Sequence, residues 1–435
     1  MRTQSMIATG ASLAMIAALA GCAGSETTPA GATSIEFDPE NPVTIQFWNT
    51  MNDPAQTRLG EMVDDFEESH PGILVDPIYQ PYDAILPSIQ TAIAAGDPPA
   101  LSQMEVSTMA QLAGLGVLEP LDSLSPDLAA GIAGDMEDSI VSVNSYDGTQ
   151  YTVPFGYSTN VLYYNVDLLS AAGYDADSMP TTWDGLQEAA LAVRETAGPD
   201  VLGFGFGAAA PWAFEMRLFQ LGGQMFDDDG TTAEFNSPEG VRVLENYQDL
   251  LASGASEMIQ TDATFSQLRD LFTTGRVAMW EQSSAGLQAM TEAAGFEVGV
   301  ATYTTMGDDV SLLGGQNLGV FADISEEEKA AAATFIEWWT SPEVSAEWSV
   351  ASGYIPGMKS AWETETLETW LAEDPRRGVA ASQIPGMRAR PNLPGYPEIA
   401  TVIADAFQAA LTGQGDPASI LDDAAARADE ILARN

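Results

Sequence analysis

Residues 43–79 read VTIQFWNTMNDPAQTRLGEMVDDFEESHPGILVDPIY, and this stretch indicates the class of fold. Val43–Trp48 and Ile73–Tyr79 are short apolar segments that predict two strands. Between them, Ala55–Ser69 has apolar residues at helical spacing and is stopped by His70-Pro71-Gly72. The apolar face of this helix is formed by Leu59, Met62, Val63 and Phe66. A strand-helix-strand unit of this kind predicts an α/β lobe with binding loops at the carboxyl ends of its strands.

The alternation of strands and helices continues after this unit. A helix is predicted at Tyr82–Ala95 and a strand at Ala100–Met104. A second α/β set begins with strands at Tyr151–Phe155 and Val161–Asn165. Further helices are predicted at Trp183–Ala197, Pro211–Leu221, Ser237–Ala252 and Ser266–Thr274, and further strands at Val277–Trp280, Glu297–Thr302 and Leu312–Phe321. The pattern predicts two α/β bodies, but it does not tell which later segments return to the first.

Two helices carry clear start signals. Ser237 is a predicted N-cap with Pro238 at the first helical position. The buried face of that helix is predicted to comprise Val241, Leu244, Tyr247 and Leu251. Ser325-x-x-Glu328 is a capping box that predicts the start of a helix carrying Phe335, Ile336 and Trp339.

The amino terminus has the features of an export signal. Arg2 precedes the apolar run Met6–Ala20, and Leu19-Ala20-Gly21-Cys22 resembles the bacterial lipobox, with the single cysteine of the chain at its end. We expect residues 1–21 to be a signal peptide, Cys22 to be lipidated and residues 22–42 to be a flexible tether. An uncleaved anchor helix and an ordinary signal with a chance cysteine are the alternatives.

The charge balance limits the partners of the chain. It has 63 acidic and 15 basic side chains, which give a net charge of −48. A surface this acidic repels nucleic acid and anionic lipid, so nucleic-acid binding is excluded. Such a surface suits a saline habitat, where salt screens self-repulsion.

Metal and cofactor sites are not expected. His70 is the only histidine and Cys22 the only cysteine, which excludes Cys/His zinc sites and a Ser-His-Asp triad. Asp227–Gly230 resembles part of a calcium loop, but counting Gly230 as position six places Met225 and Asn236 at the two key ligand positions. An acidic turn is the better interpretation. A hydrolase with paired carboxylates stays open, although no pair stands out among the acidic residues.

Aromatic residues point to a ligand with C–H faces. Several are predicted to lie in loops, most of them beside Gly, Pro or Ser: Trp48, Tyr82, Tyr157, Trp212, Trp280 and Tyr354. Flat rings pack against sugar rings, while Asp, Glu, Asn and Gln bind hydroxyl groups. In contrast, Trp338, Trp339 and Trp348 lie within helical patterns and are predicted to be core residues.

Five motifs together resemble the extracellular solute-binding lipoproteins of ABC importers, in the family that includes maltose-binding and glycerol-3-phosphate-binding proteins. They are VLYYNVDLL at 161–169, PTTWDGL at 180–186, FTTGRVAM at 272–279, GGQNL at 314–318 and SGYIP at 352–356. The resemblance covers Val43 to Leu432. It implies a periplasmic-binding-protein fold, in which two α/β lobes are joined by a hinge and a ligand cleft lies between them.

The resemblance also implies domain boundaries. The amino-terminal lobe is expected at residues 43–153 plus 314–357 and the carboxyl-terminal lobe at residues 154–313 plus 358–435. Three crossings between the lobes are expected near Tyr151–Gly156, Thr304–Gly314 and Tyr354–Ser360. Glycines and turn residues there would absorb the dihedral change of closure.

Within the family, the chain looks like the glycerol-3-phosphate and glycerophosphodiester binders, and this resemblance implies ligand residues. Tyr82, Trp212 and Tyr354 would supply ring faces, Glu105 would accept hydroxyls, and Ser158, Ser284 and the backbone N–H of Gly315 would donate. Arg388 fits the local motif for a phosphate-binding arginine, but the following loop is long enough for Arg390 to serve instead.

We therefore expect a substrate-binding lipoprotein without enzymatic activity, which captures a sugar, sugar alcohol or glycoside by hinge closure and delivers it to a membrane permease. A glycerol-3-phosphate or glycerophosphodiester ligand is the alternative, and a secreted glycoside hydrolase is a remote one. The protein is expected to be a monomer, lipid-anchored at the outer face of the cell membrane.

Overall fold

Two β-sheets, each carrying helices, organise the chain. The computed structural model describes residues 35–207, 211–259 and 265–434. The strands are β1 Val43–Asn49, β2 Ile73–Tyr79, β3 Leu101–Glu105, β4 Ser145–Tyr146, β5 Thr149–Gln150, β6 Thr152–Ser158, β7 Asn160–Asn165, β8 Leu202–Gly207, β9 Ser256–Ile259, β10 Val277–Ser283, β11 Val298–Thr302, β12 Ser311–Val320 and β13 Met387–Ala389.

The α-helices lie between and after these strands. They are α1 Ala55–Ser69, α2 Ile85–Ala95, α3 Met109–Gly114, α4 Leu121–Leu124, α5 Pro126–Gly134, α6 Asp138–Val143, α7 Val166–Ala171, α8 Trp183–Ala197, α9 Pro211–Gln220, α10 Pro238–Ala252, α11 Ser266–Thr273, α12 Leu287–Ala293, α13 Glu326–Trp339, α14 Pro342–Ser352, α15 Glu365–Glu373, α16 Gly378–Ser382, α17 Tyr396–Leu411 and α18 Pro417–Leu432. Within the described residues, each helix is too short or too polar to span a membrane. The predicted signal peptide and Cys22 lie outside the described residues.

The first sheet has the strand order β13-β12-β3-β1-β2, and β6 pairs with β12. Strand β1 runs parallel to β2 and β3, whereas β12 runs antiparallel to β3 and β6. Helix α1 buries the four predicted residues Leu59, Met62, Val63 and Phe66. Phe155 stacks on Trp339 with ring centroids 5.2 Å apart and contacts Trp348 at 5.0 Å, which confirms both tryptophans as core residues. This sheet and its helices, including α13 and α14, are called the first lobe.

The second sheet has the strand order β11-β7-β10-β8-β9. Strand β7 runs antiparallel to β10 and β11, and β8 runs parallel to β9 and β10. Helices α8 and α11 pack on this sheet, and α9, α10, α17 and α18 form a layer with one another. This sheet and these helices are called the second lobe.

A buried ion pair contacts the connection between β11 of the second sheet and β12 of the first. Arg217 of α9 and Glu281 of β10 are almost fully buried, and Arg217 Nη2 lies 2.7 Å from Glu281 Oε2. The Thr304 hydroxyl donates to Glu281 Oε1 at 2.7 Å, and Arg217 also donates to the Thr304 carbonyl. The Arg217 guanidinium lies over the Tyr303 ring, 4.3 Å from its centroid. The network fixes Tyr303 and Thr304 where the chain leaves the second sheet.

Several predicted elements are confirmed with their boundaries. Helix α8 spans Trp183–Ala197 as expected. The Ser237 side chain accepts a hydrogen bond from the Gly240 N–H, and the capping box of Ser325 and Glu328 is present.

Other expectations are corrected. Helix α2 begins at Ile85 and not at Tyr82, because Pro81 starts a turn in which the Ala84 N–H donates to the Pro81 carbonyl. In α10, Val243 and Leu250 are buried, whereas Val241 and Leu251 are only partly buried. The helix contacts α9, α17 and α18, so its apolar stripe is shifted from the predicted face.

The connections between the sheets also differ from expectation. The first crossing lies at Thr159, between β6 of the first sheet and β7 of the second, and not within Tyr151–Gly156. Strand β6 stays paired with β12 as far as Ser158, and all of its residues are buried. The second crossing lies between β11 and β12, within the region expected. The lobe boundaries at residues 153 and 357 stay predictions.

Candidate ligand-binding site

A cavity of about 350 Å³ lies where the carboxyl end of β3 faces the start of α9. The first lobe contributes Tyr82, Asp83, Glu105 and Gln316 to its lining, and the other side contributes Trp212, Phe265 and Arg390. We call it the cleft cavity. Four of the predicted ligand residues line it: Tyr82, Glu105, Trp212 and Arg390.

Arg390 joins two carboxylates in the cleft cavity. Its Nη1 lies 2.8 Å from Glu105 Oε1, while Nε and Nη2 lie 2.8 and 3.0 Å from the two oxygens of Glu215. Glu215 is fully buried and also accepts a hydrogen bond from the Tyr396 hydroxyl. The Glu105 side chain is 33% exposed, so it is the member of the network that a ligand can reach.

The other candidate arginine lies elsewhere. Arg388 sits over the ring of Phe219 at 3.8 Å and donates to Gln224 Oε1. Burial lowers the pKa of its guanidinium below the usual value. The structure therefore brings Arg390, and not Arg388, beside Glu105.

Two aromatic rings flank the cleft cavity. Tyr82 lies in the turn after β2 and is 42% exposed. Trp212, in the first turn of α9, meets the ring of Phe265 edge-on, with centroids 6.1 Å apart. A ring on each side of the cavity is the arrangement in which flat, partly apolar ligands are held.

Ser284 and Tyr354 line a second cavity of about 300 Å³. The Ser284 hydroxyl oxygen is buried and makes no hydrogen bond with the described residues. Burial, with the neighbouring Glu105 charge, raises the pKa of Tyr354 to about 12. The Glu105 charge is also the main cause that raises the pKa of Tyr82 above its usual value. Both phenols are therefore neutral hydrogen-bond donors at ordinary pH.

Ser158 and Gly315 lie outside both cavities, where β6 and β12 pair. Gly315 has a φ of +125°, and a Cβ there would lie 2.4 Å from the Gly156 carbonyl oxygen. Its carbonyl accepts from the Val106 N–H at 3.3 Å. Ser158 is buried at the end of β6. Their predicted contacts with a ligand stay predictions.

Two of the aromatic residues predicted for the cleft belong to the core. Tyr157 is buried and its hydroxyl donates to Asn317 Oδ1 at 2.9 Å. Trp280 is buried next to Phe272. Trp48 is partly buried against the cluster around Ile89. Tyr157 lies inside β6, which includes Gly156 and ends at Ser158, and Trp280 lies inside β10, which ends at Ser283, so neither residue is in a loop.

Sequence reasoning missed Glu215, Gln316 and Tyr396. A usable signal for Glu215 exists, because it lies with Arg217 in the otherwise apolar run of α9. Gln316 belongs to the GGQNL motif at 314–318 and lies directly after Gly315. Tyr396 starts a helix far along the chain and gives no local signal.

Within the described ranges, no group of three or more His, Cys, Asp and Glu side chains could hold a metal ion. Asp227 instead closes a turn, where its carboxylate accepts from the N–H groups of Thr231 and Thr232 at 2.7 and 3.0 Å. These backbone hydrogen bonds lower the pKa of Asp227. The acidic-turn interpretation is confirmed.

Comparison with known families identifies the protein class. Residues 61–375 match the family model described as bacterial extracellular solute-binding protein. The chain belongs to this family. As a solute-binding protein, it has the two-lobed α/β architecture predicted from the sequence, and that fold prediction is confirmed.

Relatives of this solute-binding protein cover nearly its whole length. It is 27% identical over 424 residues to the sn-glycerol-3-phosphate-binding periplasmic protein UgpB of Pectobacterium atrosepticum, which covers 90% of this chain and 91% of the relative. The structure of UgpB from Mycobacterium tuberculosis in complex with glycerophosphocholine is 25% identical, with a TM-score of 0.81 over 91% of this chain and 99% of that one. The cyclic alpha-maltosyl-1,6-maltose binding protein from Arthrobacter globiformis is 26% identical, with a TM-score of 0.79 over 91% of this chain and 100% of that one.

Proposed function

We propose that this solute-binding protein captures a neutral carbohydrate (a sugar, sugar alcohol or glycoside) between its lobes and delivers it to an ABC permease. The observation that carries the proposal is the charge of the cleft cavity. Arg390 is paired with the carboxylates of Glu105 and Glu215, Asp83 adds a further carboxylate to the lining, and Arg390 is the one Lys or Arg among the described residues that line the cavity. An anion entering there meets an excess of negative charge, whereas a polyol does not.

The polar groups of the cavity suit hydroxyl ligands. Glu105 accepts charge-assisted hydrogen bonds from sugar hydroxyls, and the neutral Tyr82 phenol and the Gln316 amide donate to them. Trp212 packs against the C–H face of a sugar ring. Closure of the lobes about the strands near Thr159 then encloses the ligand, because it gains contacts with both lobes only in the closed state.

A glycerol-3-phosphate or glycerophosphodiester ligand is the second candidate. Two observations favour it: Arg390 lies in the cleft cavity, and the Pectobacterium and Mycobacterium relatives are named or solved as binders of such compounds. For this ligand, the phosphate would have to displace Glu105 or Glu215 from Arg390.

The remaining attributes follow from the sequence. We infer that Cys22 carries the lipid anchor at the outer face of the membrane and that the mature protein acts as a monomer without turnover. The remote hydrolase alternative predicts product formation on incubation with glycosides, and we expect none.

Thermal unfolding of the purified protein against a ligand panel tests the proposal. The panel comprises sugars, sugar alcohols, glycosides, glycerol-3-phosphate and glycerophosphodiesters, each at low and high salt. A ligand at about 100 times its Kd adds ~2.7 kcal/mol and raises the midpoint by several degrees. A shift with neutral sugars alone supports the proposal, and a shift confined to phosphorylated glycerols supports the second candidate.

Variants locate the site in the same assay. Glu105→Gln should remove most of the shift, because the amide loses the charge that accepts ligand hydroxyls. The matched control is Glu119→Gln. Glu119 pairs with Lys329, 3.1 Å away, and does not line the cleft cavity. An equal loss of shift in both variants contradicts the assignment of Glu105.

A further inference from the structure

The second cavity has walls from both lobes. On the first-lobe side it is bounded by Val350 of α14, and on the second-lobe side by Val161 of β7, Val300 of β11 and Leu287 of α12. Its volume of about 300 Å³ is twice the ~150 Å³ of an apolar cavity that binds benzene.

A segment anchored to both lobes covers this cavity. At one end, the Ser360 N–H donates to Asp135 Oδ1 at 3.0 Å in the first lobe. At the other end, Arg376 Nη1 donates to the Val298 carbonyl at 2.7 Å on β11. Residues 361–373 run between these anchors and carry α15, so they form the outer wall.

The outer wall is apolar and aromatic. Trp362, Leu367, Trp370 and Leu371 all line the cavity, and only Leu367 is fully buried. The other three are partly buried, so their cavity surface is available to a ligand. The cavity is lined by two acidic residues, Glu292 and Asp374, and two basic ones, Arg376 and Arg377, and Asp374 pairs with Arg376 at 2.6 Å, so the charges balance. The lining therefore favours a neutral apolar group.

Tyr354 and Ser284 connect this wall to the cleft cavity. Tyr354 lines the second cavity and packs against Gly156, where a Cβ would lie 2.8 Å from the Tyr354 Cβ. Gly156 is the register partner of Gln316, and Gln316 lines the cleft cavity. Ser284 offers its buried hydroxyl, which has no hydrogen-bond partner among the described residues. A ligand that spans the two cavities would pass these two polar groups.

We propose that the second cavity binds the apolar aglycone of a glycoside whose sugar occupies the cleft cavity, and that an aromatic ring is the group that fits it. The proposal rests on the carbohydrate function argued above. A quaternary ammonium group fits less well, because Arg377 already covers the Trp370 ring with its guanidinium 4.7 Å from the centroid.

Isothermal titration of the purified protein with matched methyl and phenyl glycosides of glucose, galactose and mannose tests this. For the sugar that binds, the phenyl glycoside should have an affinity at least about tenfold higher than the methyl glycoside, which is ~1.4 kcal/mol of binding free energy. Leu371→Glu and Trp370→Ala should each remove this advantage and leave the methyl glycoside affinity unchanged. Two variants are used so that one can fail to fold without ending the test.

Trp338→Ala is the control, because Trp338 packs on Phe66 and Phe335 in the first lobe. It should keep the phenyl advantage. Equal affinity for methyl and phenyl glycosides overturns the aglycone proposal but not the carbohydrate function. The same conclusion follows if the phenyl glycoside still binds more tightly than the methyl glycoside in both cavity variants. Binding of glycerophosphocholine alone, or of no glycoside, overturns the carbohydrate function and this proposal with it.

Discussion

Replacing Arg390 by methionine tests the electrostatics of the cleft directly. The change removes the guanidinium but keeps much of the apolar stem. The partner Glu215 is 0% exposed, whereas the Glu105 side chain is 33% exposed. Breaking a buried ion pair costs about 3–5 kcal/mol because a charge is left unpaired, and an exposed pair contributes about 0–1 kcal/mol. We therefore expect a loss of about 3–5 kcal/mol, almost all of it from Glu215.

Urea unfolding with a double-mutant cycle measures this. Adding Glu215→Gln to Arg390→Met should recover much of the lost stability, because the amide is neutral and still accepts the hydrogen bond from Tyr396. A single variant within about 1 kcal/mol of the wild type would refute the reasoning, and so would a double variant no more stable than the single one.

Arg388→Met is the matched control, two positions away. It removes one stacking contact with Phe219 and one hydrogen bond with Gln224, so the expected loss is about 0.5–1 kcal/mol. Affinity for a neutral sugar should be unchanged in this variant. A large loss of affinity would place Arg388 in the ligand site and would contradict the choice of Arg390 over Arg388.

Four further results are expected. Arg217→Met should lower stability by about 3–5 kcal/mol, and the added change Glu281→Leu should restore part of it in the same unfolding assay. Gly315→Ala should cost about 1–3 kcal/mol or more, because a side chain at φ +125° is strained and meets a carbonyl oxygen; a wild-type urea midpoint would contradict this. Trp212→Ala should weaken ligand binding by at least ~1 kcal/mol, and unchanged affinity by calorimetry would exclude stacking. The pKa of Tyr354 is raised from 10.0 to about 12 in the folded protein. The stability that comes from its neutral phenol is therefore complete below pH 10 and is lost as the pH rises toward 12. The Tyr354→Phe variant has no phenol to ionise, so it should become more stable than the wild type only between about pH 10 and 12.

Local patterns predicted much of the fold. The boundaries of α8 and the caps at Ser237 and Ser325 depend on residues within one helical turn, and the sequence contains all of them. The face of α1 was predictable because it packs on one side only. The face of α10 was shifted because three other helices contact it, and no local pattern carries that information.

The candidate site was predicted less completely, for a physical reason. Tyr82, Glu105 and Trp212 lie beside strand or helix ends, where binding groups are expected. The pair of Arg390 and Glu215 joins positions 175 residues apart, so only the folded chain brings them together. Sequence reasoning could name both arginines but could not choose between them, since the choice depends on those distant carboxylates.

The bridge formed by Arg390 has a consequence for how ligand affinity depends on ionic strength. It contacts Glu105 in the first lobe and Glu215 in the second, so opening of the cleft breaks the contact with the more exposed Glu105. That pair contributes about 0–1 kcal/mol and is screened by salt. A sugar that binds the Glu105 carboxylate competes with Arg390 for that carboxylate. Salt weakens the ion pair between Arg390 and Glu105, so it favours the sugar. For the neutral sugar proposed above, we therefore expect the population of open molecules to grow with salt and the affinity measured in dilute buffer to be lower by up to about fivefold.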